Sequence, residues 1–372
     1  MQRDLRIDSI RGILLYAIGI EHMGVSISGH FNHMLGIFSF AEALVFMSGL
    51  VTGITVYKTW SRRGMNVVTS HALERFRAIY LGHIIPCFII LVLAALSANA
   101  LYYFKSYMPI LTSVSDGSRN YGDVLLYMLP LLYQPNYFDI FPMFMLYMLL
   151  SPLFAYFVGK KQSFVIFALS GGLWLAIQFG FGRHWFHDWT INNVAIGGIF
   201  DPFAWQFLFL IAFYFGFNMH RGLPAFTRRP DFLALCGVIC LTGLAARYGL
   251  LPYVWHREGL LFSKKHLSIL RLINFLAFVC LLAEFGRHFP KILIWRSATL
   301  LGQHSLQVFS YQIVLIYLSS PIMWRLSEKS PILADAYTLI IMLTQALPAL
   351  AHIQYRKWRA RYKNMLATET PK

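Results

Sequence analysis

Apolar runs of about twenty residues recur along this whole chain, separated by short polar or basic stretches. One such run would make an anchor, but a series of them makes a polytopic membrane protein. The spans fall at 10–29, 35–57, 77–101, 137–158, 163–182, 198–218, 231–250, 267–286, 297–319 and 332–352. The expected fold class is therefore all-α, with about ten transmembrane helices. The run from Asp123 to Tyr133 is too short to span and reads as an interfacial or re-entrant helix, ended by Pro135. No soluble domain, internal repeat or low-complexity segment intervenes, so 1–372 reads as one membrane-embedded domain.

Composition supports this. Only 13% of the residues are charged and 57% are hydrophobic, about half the charged fraction of a soluble domain. The net charge of +16 does not indicate nucleic acid, because the basic residues sit in clusters between apolar runs and form no polybasic arm. Arg3, Arg6 and Arg11 before an apolar stretch resemble a signal peptide. Glu21-His22 interrupts that stretch and no clear cleavage site follows, so the segment reads as a retained first helix. Cys87, Cys236, Cys240 and Cys280 all lie inside spans without metal-ligand spacing, and read as packing residues.

Ten spans put both termini on one side. That side takes Arg3, Arg6, the 58–77 loop, Lys160-Lys161, the 221–229 and 287–296 turns and the tail from Arg356. It holds 21 of the 32 lysines and arginines, the other side holds 10, and Arg11 lies in helix 1. The rich side is assigned to the cytoplasm. Trp60, Trp185, Trp189, Trp255, Trp295, Trp324 and Trp358 lie near span ends, where an interfacial belt belongs.

Charged groups within a span are costly and point to function. Helix 1 is richest, with Asp8, Arg11, Glu21 and His22. Eleven residues from Arg11 to His22 make three turns plus about 20°, so both project from one face about 16 Å apart. Asp8 shares that face and can pair with Arg11, whereas Glu21 points about 100° away. A buried structural histidine and a snorkelling arginine are the bland alternatives, but both on one face are harder to dismiss. Further polar residues within spans are Glu42, Ser48, Asp139, Asp201, Gln206, Arg271, Asn274 and the run Gln303-His304-Ser305-Gln307. Singly, most read as interhelical hydrogen-bond partners; Glu42, Asp139, Gln206 and Asn274 are candidates to line a polar passage. Lys58, Arg62, Arg63, Arg75 and Arg77 crowd one cytoplasmic loop. Topology alone explains them, and so does phosphate binding, because guanidinium forks match phosphate oxygens. His184-Trp185-Phe186-His187-Asp188 offers three potential metal ligands in five residues without a fourth elsewhere, so no metal is assigned. Aromatics beside polar groups there also suit sugar stacking.

The start "RDLRIDSIRGILLYAIGIEHMG" resembles that of OpgC-type membrane proteins, glucan succinyltransferases within the acyltransferase-3 superfamily of membrane acyltransferases. The superfamily signature of an arginine, ten residues and a histidine is matched by Arg11 and His22. Phe46-Met47-Ser48-Gly49, "LERFRAIYLGHI" (73–84), "QPNYFDIFPMF" (134–144), "FDPFAWQFLF" (200–209) and "LGQHSLQVFSYQ" (301–312) resemble later segments, in order. The chain departs at Glu21, where many relatives carry aspartate, and at Ser310-Tyr311-Gln312, where many superfamily members have histidine. The resemblance implies an O-acyltransferase of the bacterial inner membrane with both termini cytoplasmic. It implies an acyl-CoA donor, succinyl-CoA above others, as co-substrate with no bound cofactor, and a periplasmic glucan hydroxyl as acceptor. His22, Glu21 and Arg11 would then be catalytic; Arg75, Arg77, Arg62, Arg63 and Ser48 would bind the donor. A transporter or flippase for a glycan or anion is the alternative use of the same buried charges.

Overall fold

The computed structural model describes residues 4–31, 33–182, 190–191, 194–195, 198–219, 221, 227–251 and 262–369. The described chain is all-α, apart from a two-residue antiparallel pairing of Thr190–Ile191 with Val194–Ala195. In order, the helices are α1 (Leu5–Met23), α2 (Ser26–Phe31), α3 (Phe40–Arg63), α4 (Met65–Leu96), α5 (Ala98–Phe104), α6 (Ile110–Ser115), α7 (Tyr121–Met128), α8 (Ile140–Gly159) and α9 (Ser163–Gln178). They continue with α10 (Pro202–Met219), α11 (Pro230–Arg247), α12 (Ile269–His288), α13 (Arg296–Gln303), α14 (Ser305–Lys329), α15 (Pro331–Met342), a 3-10 turn at Leu343–Gln345 and α16 (Ala346–Glu369).

Among the described residues, eight helical stretches are long and apolar enough to cross a membrane: α3, α4, α8, α10, α11, α12, α14 and the α15–α16 stretch Pro331–Arg359. The two remaining expected spans are also helices. Arg6, Asp8, Arg11 and Glu21 make α1 too polar for that class, and the sixteen residues of α9 reach only about 24 Å.

Three boundaries correct the sequence reading. The loop expected over 58–77 is a helical corner. Helix α3 runs to Arg63 and α4 begins at Met65, and the single residue between them, Gly64, has φ +81°, a left-handed backbone that favours glycine. The span expected at 297–319 is broken, because α13 stops at Gln303 and α14 restarts at Ser305 around a non-helical His304. Helix α1 starts at Leu5, capped by the Asp4 side chain, and ends at Gly24 rather than running to 29.

The chain divides into two compact units. The first joins the two ends of the sequence, Met1–Gly29 and Pro290–Lys372. In it α1 packs on α13, α14 and α15, with Leu15, Leu301, Val308 and Ala349 at the core. Helices α1 and α13 cross at backbone contact; a side chain at Gly12 would overlap the carbonyl of Ala298.

The second unit is His30–Phe289. Its tightest crossing is α3 on α10. Gly49 and Gly53 form a GxxxG step there, and a Cβ at Gly49 would come within 2.5 Å of the Phe209 carbonyl oxygen. Lipid supplies no hydrophobic drive for helices to associate, so close backbone packing of this kind supplies it. The four cysteines are free and all lie in this unit; Cys236 and Cys240 pack with Ala277 in a small apolar cluster that Cys280 flanks. The interfacial reading of 123–133 corresponds to the eight residues of α7, opened by an Asn120–Asp123 capping box.

Candidate active site

In the first unit, Arg11 and His22 stand on the continuous helix α1, which preserves their common face. Arg11 donates from Nη2 to Ser305 Oγ at the first residue of α14, so the break at His304 places a hydroxyl on the guanidinium. Asp8 and Ser9 are buried, and Ser9 Oγ accepts the backbone N–H of Trp295 at 3.0 Å. One turn before His22, the buried Gln312 amide brackets the helix. With the amide turned to the orientation that satisfies both neighbours, its nitrogen donates to the Leu15 carbonyl (3.2 Å) and its oxygen accepts the Gly19 N–H (2.8 Å).

The end of α1 is held as well. Thr338 Oγ1 donates to the Met23 carbonyl (3.3 Å), and Asp335 accepts the N–H groups of Val25 (2.8 Å) and Ile27 (3.1 Å). His22 and Glu21 are half-buried between these two fixed points. A side chain on a helix braced above and below holds its direction, which acid–base work requires. Beside Ser305, the Nδ1 atoms of His304 and His352 approach to 2.8 Å with perpendicular rings.

In the second unit, Arg62 and Arg63 close the last turn of α3, while Arg75 and Arg77 lie on α4. All four are exposed. Arg75 and Arg77 point about 200° apart around one regular helix. Ser48 lies on α3, where its carbonyl accepts the Thr52 hydroxyl (2.7 Å).

The four passage candidates are engaged between elements. Glu42, fully buried, accepts Arg271 Nε (2.7 Å), the Ser39 N–H (2.9 Å) and the Ser39 hydroxyl (2.7 Å). Asp139 accepts the Ile199 N–H (2.8 Å). Gln206 exchanges two hydrogen bonds with Ser170 of α9. Asn274 accepts the Ile37 N–H (3.2 Å) and donates to the Ile239 carbonyl (3.0 Å).

Sequence reasoning did not foresee the pairing of Asp201 with His266. Asp201 caps α10 through the N–H groups of Phe203 and Ala204, and meets His266 Nδ1 at 3.2 Å. The carbonyls of residues 264–267 are each held by Trp205, Gln178 or Trp174. His33, in the turn before α3, donates from Nδ1 to the Phe38 carbonyl (2.9 Å). Burial, with the Arg271 guanidinium nearby, lowers its pKa to about 4. The His184–Asp188 run and Trp185, Trp189 and Trp255 lie outside the described residues.

These features define an all-α polytopic membrane protein with a braced, charge-bearing first helix. The OpgC protein family matches residues 3–357, nearly the full length, and the chain belongs to that family. Membership marks it as a modifying enzyme of osmoregulated periplasmic glucans. No curated protein and no solved structure matches the chain.

Proposed function

We propose that the chain is an O-acyltransferase of the acyltransferase-3 type, moving a succinyl group from cytoplasmic acyl-CoA to a hydroxyl of a periplasmic glucan. The observation that carries this reading is the bracing of α1, which fixes Arg11 through Ser305 and holds the helix on both sides of His22. His22 takes the proton as the sugar oxygen attacks the thioester carbonyl. The tetrahedral intermediate collapses, the C–S bond breaks, and the CoA thiolate leaves and recovers that proton. The reaction is proton-neutral overall. Arg11, about 16 Å away on the same face, and Glu21, the adjoining residue, are the other charges of α1 assigned to the reaction.

In the second unit, Arg62, Arg63 and one of Arg75 and Arg77 bind the donor phosphates, with Ser48 further along α3. Glu42, Asp139, Gln206 and Asn274 form the proposed polar wall, held by their interhelical bonds. The setting is the bacterial inner membrane, both termini cytoplasmic.

Detergent-purified protein given succinyl-CoA and glucan tests the reading, with no membrane gradient present. Transfer is expected, and His22→Ala should lower its rate about 10²–10⁴-fold while leaving the fold intact. Wild-type transfer by a normally expressed His22→Ala protein would remove His22 from the mechanism. A wild-type protein with no transfer or hydrolysis of any acyl-CoA would remove the acyltransferase reading.

A further inference from the structure

The proposed reaction makes no use of His83, a histidine of the second unit. His83 lies well inside α4 and is fully buried, and neither of its ring nitrogens has a hydrogen-bond partner among the described residues. It meets the rings of Phe138 (5.4 Å, edge-on) and Phe141 (5.6 Å). A neutral imidazole carries one N–H donor and one lone-pair acceptor. Burying both unpaired is costlier than burying a leucine in the same place.

The turn packed against this part of α4 repeats the anomaly. Residues 129–138 are tied to α4 by the Tyr80 hydroxyl, which donates to the Leu129 carbonyl (2.9 Å). Within the turn, buried Gln134 donates from Nε2 to the Leu131 carbonyl (2.7 Å), but its Oε1 has no partner among the described residues. Leu131 (φ +63°) and Tyr137 (φ +74°) hold left-handed backbone without being glycine, and strain of this kind gathers at sites that bind or move. Cys87, one turn past His83, and Tyr133 of the turn are buried too.

This pair of elements therefore presents, among the described residues, an unpaired N–H and lone pair at His83 of α4 and an unpaired amide carbonyl at Gln134 of the turn tied to it. Its complement is a neutral group that both donates and accepts, and a secondary amide does both. Arg75, Ile79, His83 and Cys87 form one i, i+4 ladder, with His83 about 12 Å along the axis from Arg75. A pantetheine arm whose pyrophosphate sits at Arg75 brings its amides to that distance.

We propose that His83 and Gln134 form a subsite for a secondary amide of the pantetheine arm of acyl-CoA, admitted as the 129–138 turn gives way. The proposal rests on the acyl-CoA reading above. A sugar hydroxyl shares the donor–acceptor chemistry, so the test separates the two.

Full-length protein in detergent is titrated with two fragments of the donor. S-succinylpantetheine has the arm without the nucleotide, and adenosine 3′,5′-bisphosphate has the nucleotide phosphates without the arm. His83→Leu and Gln134→Leu should each bind S-succinylpantetheine about tenfold more weakly and the bisphosphate as tightly as wild type. His83→Leu should melt no lower than wild type, because leucine removes the unpaired nitrogens, and His83→Asn should recover part of the affinity. If one leucine variant does not fold, the other carries the same test. Unchanged affinity of both variants for S-succinylpantetheine, in a wild-type background that binds both fragments, overturns the subsite alone. A raised acceptor KM with unchanged donor binding assigns the pair to the sugar and also overturns it. Wild-type protein that binds neither fragment overturns the acyl-CoA reading and this subsite with it.

Discussion

Breaking the Glu42–Arg271 pair should destabilise the second unit more than removing both partners. The Glu42 carboxylate is fully buried, the Arg271 side chain is 4% exposed, and Nη2 and Oε1 are 2.5 Å apart. Glu42→Ala leaves a guanidinium without its counter-charge in a buried site, which costs about 3–5 kcal/mol. Arg271→Met should cost less, about 2–3 kcal/mol, because the remaining carboxylate keeps the Ser39 N–H and hydroxyl and can protonate. The double variant Glu42→Leu, Arg271→Met removes both charges and loses chiefly the capping box at Ser39, worth about 1 kcal/mol. The cycle therefore predicts a coupling energy above about 2 kcal/mol. Reversible unfolding in mixed detergent, followed by intrinsic tryptophan fluorescence, measures each corner. Single-variant effects that add to within about 0.5 kcal/mol would mean the pair does not act as a unit, and the argument would fail.

Three further outcomes are expected. Of Arg75→Ala and Arg77→Ala, only one should raise the acyl-CoA KM, because the two point to opposite sides of α4; equal wild-type KM values for both would rule out a phosphate clamp on this helix. His33 is held neutral in the fold, with a pKa of about 4 against about 6.5 unfolded, so the unfolded chain binds more protons between these values. Stability should fall as pH drops from 6.5 through 4, by at most about 3 kcal/mol, and His33→Gln should flatten the melting temperature across that window; an unaltered pH profile in the variant would refute it. For sidedness, cysteines at Ser26 and Ser28 should react with a membrane-impermeant thiol reagent added to intact cells, while cysteines at Ile10 and Ile13 should not. The reverse labelling would move the acceptor to the cytoplasm.

How far the sequence alone reveals this molecule follows from the range of the forces involved. Hydrophobic length is a local property, so every expected span has a helix and the all-α class is readable directly. Element ends depend on single residues. One left-handed glycine turns the 58–77 loop into the α3–α4 corner, and His304 divides one expected span into two. Partnership is not local at all. Hydropathy marks Glu42 and Arg271 as expensive, but 229 residues separate them, and only the packing of α12 against the start of α3 makes each the reason for the other. Asp201 with His266 and Gln312 with the α1 backbone follow the same rule: the sequence flags a polar group inside an apolar run without saying what satisfies it. Arg11 shows why this matters for function. Its spacing to His22 is fixed by helical geometry and visible in eleven letters. Its hydrogen bond to Ser305 exists only because α14 begins again beside it. A continuous helix through 304 would still have looked like a span, but would have lacked the restart that presents Ser305 to α1. The face of α1 is thus written in the sequence, and the fixing of that face is a product of the fold.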